Sequence, residues 1–480
     1  MADTVAGTEP EEQTELKRAI GPKLLLFFVI GDILGTGIYA LTGSVAARIG
    51  GALWLPFLLA FVVAFLTAFS YLELVGKYPR AAGAALYTHK AFGINFLTFM
   101  VTFTVMASGV TSAATAAVAF GETYLRQFVE LPTWAVAGVF ILLLGLINFR
   151  GVGESVKANV VLTFIELSGL LLIIAVGVYA LGTGEGDASR LVQINTGDSS
   201  AFLAITAATS LAFFAMVGFE DSVNMAEECR DPVRIFPRAM LVGMGVAAAI
   251  YVVVAVLSSV LVPADVLADA GSSALFRVLE AGAPGFPLAV FAAIGLFAVV
   301  NSALINMLMA SRLLYGMANE RIIPRPFAFV HPERRTPWVA IVFTSVIALI
   351  LVTSANISLL GGTTALLLLA VFTIVNVAVL VLRRKDPADD RPHFRAPSWT
   401  PYVGIVLCGF LATPLSGRPL QQFVVAGILL AVGAVLRVVN RLVSGGSTWI
   451  RPIWRRGDTR VAVTPVNERR PNDPVGAVAD

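Results

Sequence analysis

Apolar residues gather into twelve runs along the chain, at about 24–47, 52–75, 93–120, 133–148, 159–181, 201–226, 239–262, 286–318, 337–353, 360–382, 402–416 and 420–440. A helix needs ~20 apolar residues to cross a hydrocarbon core of ~30 Å. Only helices and closed barrels satisfy every backbone polar group in lipid. The pattern therefore predicts an all-α polytopic membrane protein with 12 transmembrane helices.

Composition agrees: 57% of residues are hydrophobic and 14% charged, against ~25% charged in soluble domains. The net charge of +3 says little by itself. The placement of the charges says more. With the N-terminus inside, 29 of the 34 Lys and Arg fall in inner segments. The outer ones are Arg48, Arg126, Arg190, Arg277 and Arg418. This bias puts both termini in the cytoplasm of a multi-pass cell-membrane protein.

Residues 1–18 are polar and acidic, lack the basic-then-apolar pattern of a leader, and read as a disordered cytoplasmic tail. Residues 441–480 read as a second cytoplasmic tail, whose "STWIRPIWRRGDTR" mixes Trp with Arg and suits the anionic inner leaflet. The outer segment 263–285 has helical spacing and fits either a lid or a surface loop. Cys229 and Cys408 lie far apart without ligand-like neighbours, which disfavours a disulfide framework or a metal site. Nucleophile–base pairs, metal clusters and phosphate loops are not seen, so an enzyme is disfavoured and no cofactor is expected. A channel would want a continuous polar pore. Nothing suggests nucleic-acid binding.

The first run contains "GDILGTGIYALTG", with four glycines and Asp32. Gly35, Thr36 and Gly37 lie roughly 17–20 Å into the membrane, close to its midplane. Two readings fit them. Small residues let neighbouring helices pack closely, and Gly31 and Gly35 have that spacing. Alternatively the helix unwinds at "GTG" and exposes backbone, which lipid tolerates only where it lines a polar cavity. The sixth run is interrupted as well: Gly218 lies past its centre, with Glu220 and Asp221 following. Paired interrupted helices in corresponding positions of two halves point to a secondary-transporter site. The two breaks are one five-helix unit apart, so the halves have opposite topology. The outer half of helix one then presents N–H groups at the midplane, and the outer half of helix six presents carbonyls. A zwitterion with a carboxylate and an ammonium group suits that pair, and an α-amino acid is the obvious candidate.

Several motifs carry a family likeness. "GTGIYALTG" is similar to the first-helix motif of the amino acid–polyamine–organocation (APC) superfamily. "YLELVGKYPRAAGAALY" (Tyr71 to Tyr87), "FFAMVGFEDSVNMAEECRDPVRIFPRA" and "SRLLYGMANERIIP" (Ser311 to Pro324) resemble its later motifs. The closest branch is that of cationic amino acid transporters and their bacterial relatives. The resemblance implies a five-plus-five inverted repeat of the leucine-transporter type with two extra C-terminal helices. The repeats would span 19–182 and 200–385, and helices eleven and twelve would span 400–440. It also implies substrate contacts from Gly35, Thr36, Gly37, Ile38, Phe214, Ala215, Met216, Val217, Gly218 and Phe219, with Phe214 as an aromatic gate.

Proton-coupled members of the superfamily often place a lysine in helix five. Here Glu166 stands at that position, a departure that leaves the coupling ion open. Glu166 and Asp32 both lie roughly 10–12 Å deep on the cytoplasmic side. Two adjacent carboxylates cannot both ionise cheaply, so Asp32 and Glu166 are the expected proton-responsive pair. They could instead lock packing, or hold sodium with oxygens near Asn301 and Ser302. His89, His331 and His393 fall in inner segments and are not expected as intramembrane relays. Glu227, Glu228, Arg230 and Arg234 cluster at the inner end of helix six. They form either a cytoplasmic gate with Glu73 or Arg312, or a solvated charge cluster. The expected function is secondary active transport of an amino acid or related amine by alternating access, as proton symport. Sodium coupling, exchange of amino acids or polyamines, and substrate sensing are the alternatives.

Overall fold

The computed structural model describes residues 20–79, 83–150, 155–195, 200–319, 322–385 and 392–443, the side chains of 155–158, Glu227 and Val443 excepted. The expected first tail, 1–18, and all but 441–443 of the second lie outside these residues. So does the Trp–Arg stretch of the second tail.

All twelve apolar runs are helical. In chain order the helices are α1 (Pro22–Ile33), α2 (Thr36–Ile49), α3 (Trp54–Lys77), α4 (Gly83–Phe92), α5 (Asn95–Ala119), α6 (Thr133–Arg150), α7 (Ser155–Gly182) and α8 (Ala201–Ala212). There follow α9 (Pro232–Leu261), α10 (Ala264–Ala270), α11 (Ala274–Gly282), α12 (Leu288–Asn319), α13 (Trp338–Ser354), α14 (Ile357–Lys385), α15 (Thr400–Leu411) and α16 (Leu420–Val443). Among the described residues, 10 helical segments are long and apolar enough to cross a membrane, α1 and α2 counting as one. The apolar helices α13 and α15 are shorter, with 17 and 12 residues. The protein is an all-α polytopic membrane protein.

Burial separates a central layer from a lipid-facing one. The α1–α2 span is 83% buried within the protein, against 33% for α6 and 22% for α16. The peripheral helices turn Leu142, Leu146, Val435 and Leu442 outward. Inside, polar pairs fix the register of apolar helices. Ser70 of α3 donates to Asn376 Oδ1 of α14 at 2.7 Å, and Asn376 Nδ2 donates to Thr67 Oγ1 at 3.1 Å. With water excluded, each such group needs an internal partner.

Pro22 and Pro232 sit in the first turns of α1 and α9, where a missing N–H breaks no helical bond. Just before α1, Ile20 pairs with the C-terminal end of the sixth span. Its N–H donates to Glu228 O at 3.0 Å, and Arg230 N–H donates to Ile20 O at 3.2 Å.

Segment 263–285 contains a helical pair, α10 and α11, joined by a short 3₁₀ turn. It lies on α2: a Cβ at Gly43 would come within 2.2 Å of Gly271 O and 2.4 Å of Leu267 O. The helix α4 is an element the apolar pattern does not predict. It is 10 residues long, and its buried Tyr87 ring meets Tyr71 at 6.0 Å.

Candidate functional site

The first span breaks at Leu34 and Gly35, and α2 already begins at Thr36. The break is therefore centred slightly before the "GTG" triplet. It leaves the last carbonyls of α1 without helical donors. The Tyr251 hydroxyl of α9 donates to one of them, Ile33 O. On the other side, α2 starts without a side-chain cap. Thr36 is buried beside that start, and its hydroxyl has no partner among the described residues.

The four glycines of the opening stretch divide between the two expected roles. A Cβ at Gly31 would lie 1.8 Å from Thr163 Oγ1 of α7, and one at Gly37 would lie 2.4 Å from Ala215 Cα. Gly31, Gly37 and Gly43 are therefore points of close helix approach. Gly35 stands in the break itself, with Ser302 3.0 Å from where its Cβ would be.

The sixth span breaks more widely. After α8 the chain tightens into a 3₁₀ turn, Phe213–Met216, and runs extended at Val217. It turns through Gly218 at φ +126° and resumes as 3₁₀ over Asp221–Glu228. Gly218 N–H donates to Glu220 Oε2 at 2.9 Å, so Glu220 caps the turn from within. A Cβ at Gly218 would lie 2.7 Å from Asp32 O. The two breaks thus touch, Gly218 over Asp32 and Gly37 against Ala215.

Two small adjoining cavities lie at this crossing. The central one, of about 20 Å³, is lined by Asp32, Ile33, Gly35, Thr36, Gly37, Ser112, Phe214, Val217, Gly218, Asp221, Ser302 and Asn306. The second, of about 10 Å³, includes Ser108, Glu220 and Met309 and shares Val217, Asp221 and Asn306 with the first. Each has room for about one water. The site is contracted around polar groups.

Of the residues named above as substrate contacts, Gly35, Thr36, Gly37, Phe214, Val217 and Gly218 line the central cavity. Ile38, Ala215, Met216 and Phe219 are buried nearby but do not line it. Ala215 is taken up by its contact with Gly37. Phe219 turns into an aromatic cluster, 5.7 Å from Tyr71 and 5.3 Å from Phe372. Ser302, named above only as a possible sodium ligand, lines the cavity too, and Ser112 and Asn306 join it without having been expected. Their signal was present: Ser108 and Ser112, and Ser302 and Asn306, are polar pairs spaced i, i+4 on apolar helices.

Asp32 lines the cavity, and its Oδ2 has no partner among the described residues. Glu166 is fully buried and neither carboxylate oxygen has a close hydrogen bond among the described residues, though the Asn301 side chain interacts with it; it stands outside the cavity lining. The two belong to one packed contact, because Gly31 abuts Thr163, three residues before Glu166. Asp32 interacts electrostatically with Asp221 and Glu220 ahead of Glu166. The Tyr39 hydroxyl donates to the Glu166 backbone carbonyl, and the Tyr124 hydroxyl to Tyr39 O at 2.9 Å.

The charged cluster after the sixth span takes a different form from the expected gate. Arg234 is 88% exposed, 3.6 Å from Asp231, and makes no ion pair to another span among the described residues. The side chain of Glu227 lies outside them. Glu73 instead binds Arg383 of α14 through both oxygens and accepts the Ala396 N–H at 2.8 Å. A carboxylate held by three donors is not available to the sixth span.

Residues 20–437 match the family model described as amino acid permease. The chain belongs to the amino acid permease family. This permease is 25% identical over 460 residues to the branched-chain amino acid permease BcaP of Bacillus subtilis, covering 88% of this chain and 93% of that one. It is 27% identical over 441 residues to the methylthioribose transporter of the same organism, with the same coverage. Human cationic amino acid transporter 4 is 25% identical over 492 residues, covering 92% of this chain and 75% of its own. The permease family and the apolar helices together make this a multi-pass membrane transport protein.

Proposed function

We propose that the permease moves an amino acid or a related amine across the cell membrane by alternating access, as a proton symporter. The observation that carries this reading is the contact of two broken helices around a polar, water-sized cavity. Soluble substrate enters when that cavity widens, and the contracted form is an occluded stage of the cycle. Chemistry assigns the ends. The uncapped start of α2 and the orphan Thr36 hydroxyl suit a carboxylate. Asp32 and Asp221, on the same cavity, suit the ammonium group.

In this reading all twelve apolar helices cross the membrane as a five-plus-five inverted repeat with two further helices, and both termini are cytoplasmic. Phe214 closes over the substrate. Asp32 and Glu166 are the coupling groups. Their buried oxygens can hold a proton in one stage of the cycle and release it in the next.

The relatives differ in the substrates their names carry, so the test begins with a panel. Purified protein is reconstituted into liposomes, and uptake is measured for branched-chain and cationic amino acids, diamines and methylthioribose. An inward proton gradient at fixed external sodium should accelerate uptake, and Asp32→Asn or Glu166→Gln should abolish that acceleration. Acceleration by a sodium gradient alone would replace protons with sodium as the driver. Uptake of none of the panel would defeat the reading.

A further inference from the structure

We infer that Arg418 is a positioning residue through which the last two helices hold the broken sixth span over the central cavity. This rests on reading that cavity as the substrate site.

Arg418 lies between α15 and α16, on the outer side, and is only 6% exposed. A buried guanidinium ordinarily has a carboxylate beside it. Arg418 has none within ion-pair distance among the described residues. Its donors go to four neutral acceptors on four different elements. Nε donates to Leu411 O of α15 at 2.6 Å, and Nη1 to Gly362 O of α14 at 2.8 Å. Nη1 also donates to Gln422 Oε1 of α16 at 2.9 Å, and Nη2 to Ser210 O of α8 at 3.0 Å.

The last of these bonds connects the outer loop to the site. Ser210 lies in the final turn of α8, where the break strips carbonyls of their helical donors. A cation at a helix C-terminus is also favoured by the dipole. Phe214, which lines the cavity, follows four residues later, one helical turn on. The loop carrying Arg418 sits directly on the same helix: Gly417, at φ +77°, would place a Cβ 3.1 Å from Ala207 Cβ. Neither α15 nor α16 lines the cavity. Phe410 of α15 also meets Phe202 of α8 at 5.9 Å, but Arg418 is the polar link that ends beside the break. Removing the guanidinium frees Ser210 O and loosens the outer half of the sixth span, so the substrate is held less well while the cavity's own side chains stay intact.

The test compares Arg418→Gln with Arg418→Lys and two further companions, in reconstituted protein, by melting temperature and by uptake kinetics of the best substrate in the panel. Gln422→Ala removes one partner of Arg418 without touching α8. Gly417→Ala keeps the arginine but wedges the loop away from Ala207. The inference expects KM to rise about tenfold in Arg418→Gln, the order for one lost charge-assisted bond. It expects a smaller rise in Gly417→Ala, with Arg418→Lys intermediate, and KM within twofold in Gln422→Ala. A purely structural role predicts lower melting temperatures with KM unchanged in every variant, and that result would overturn the inference. If Arg418→Gln does not fold, equal KM in Gly417→Ala and Gln422→Ala overturns it. A parent protein that takes up nothing from the panel removes the reading and the inference together. A parent that transports, with variants that keep its KM, removes only the inference.

Discussion

At Gly218 the backbone turns with φ of +126°, and a Cβ there would meet the carbonyl oxygen of Asp32 at 2.7 Å. Both features demand glycine: left-handed backbone strains any residue with a Cβ, and the obstacle is main chain. At Gly31 the obstacle is the Thr163 hydroxyl, at 1.8 Å. The two positions should therefore respond differently. Gly218→Ala should lower the melting temperature and abolish uptake, with no side-chain truncation able to restore either. Gly31→Ala should also be damaging, but Thr163→Ala should recover part of the lost stability. Recovery of Gly218→Ala by a truncation nearby would contradict this account. The residue scale also shows what could be read in advance. Gly35 and Thr36 were legible as cavity residues from the first break, whereas Phe214 rested on the family resemblance. Asn306 needed a further step, because its helix has no break and only its i, i+4 spacing from Ser302 marks the inward face.

A break inside a membrane requires partners for the backbone it frees, and those partners come from other elements. Ile33 O, at the end of α1, is met by the Tyr251 hydroxyl of α9. Tyr251→Phe removes that donor and keeps the ring. The expected cost is about 1–2 kcal/mol, with the largest increase in hydrogen exchange at the end of α1. A uniform increase over all helices would mean that the tyrosine acts only through packing. This dependence explains a difference between expectation and structure. The glycines mark the first break, but its bounds follow the donors, and the donor comes from a residue distant in sequence. For the same reason the second break begins earlier than Gly218, at the 3₁₀ turn from Phe213. The helix α4 leaves no mark in the apolar pattern because its 10 residues, six of them buried, form no run long enough to cross a membrane.

The whole molecule was legible in outline because lipid imposes length and polarity on every crossing. The reach of α13 and α15 was not, since helices of 17 and 12 residues can cross only with help from flanking segments. The proposed topology turns on them: if either fails to cross, every loop after it changes sides. Labelling with a membrane-impermeant maleimide can decide the matter. Cys229 and Cys408 are buried, so the parent protein should react little. Glu185→Cys, in the exposed segment after α7, should label in intact cells. Glu333→Cys, exposed between α12 and α13, should label only after permeabilisation. Leu415→Cys, 71% exposed between α15 and α16, is the deciding site. It should label from outside if α13, α14 and α15 all cross. Labelling only after permeabilisation would mean an even number of crossings between α12 and that loop. It would also move Arg418 to the cytoplasmic side and remove the twelve-helix arrangement.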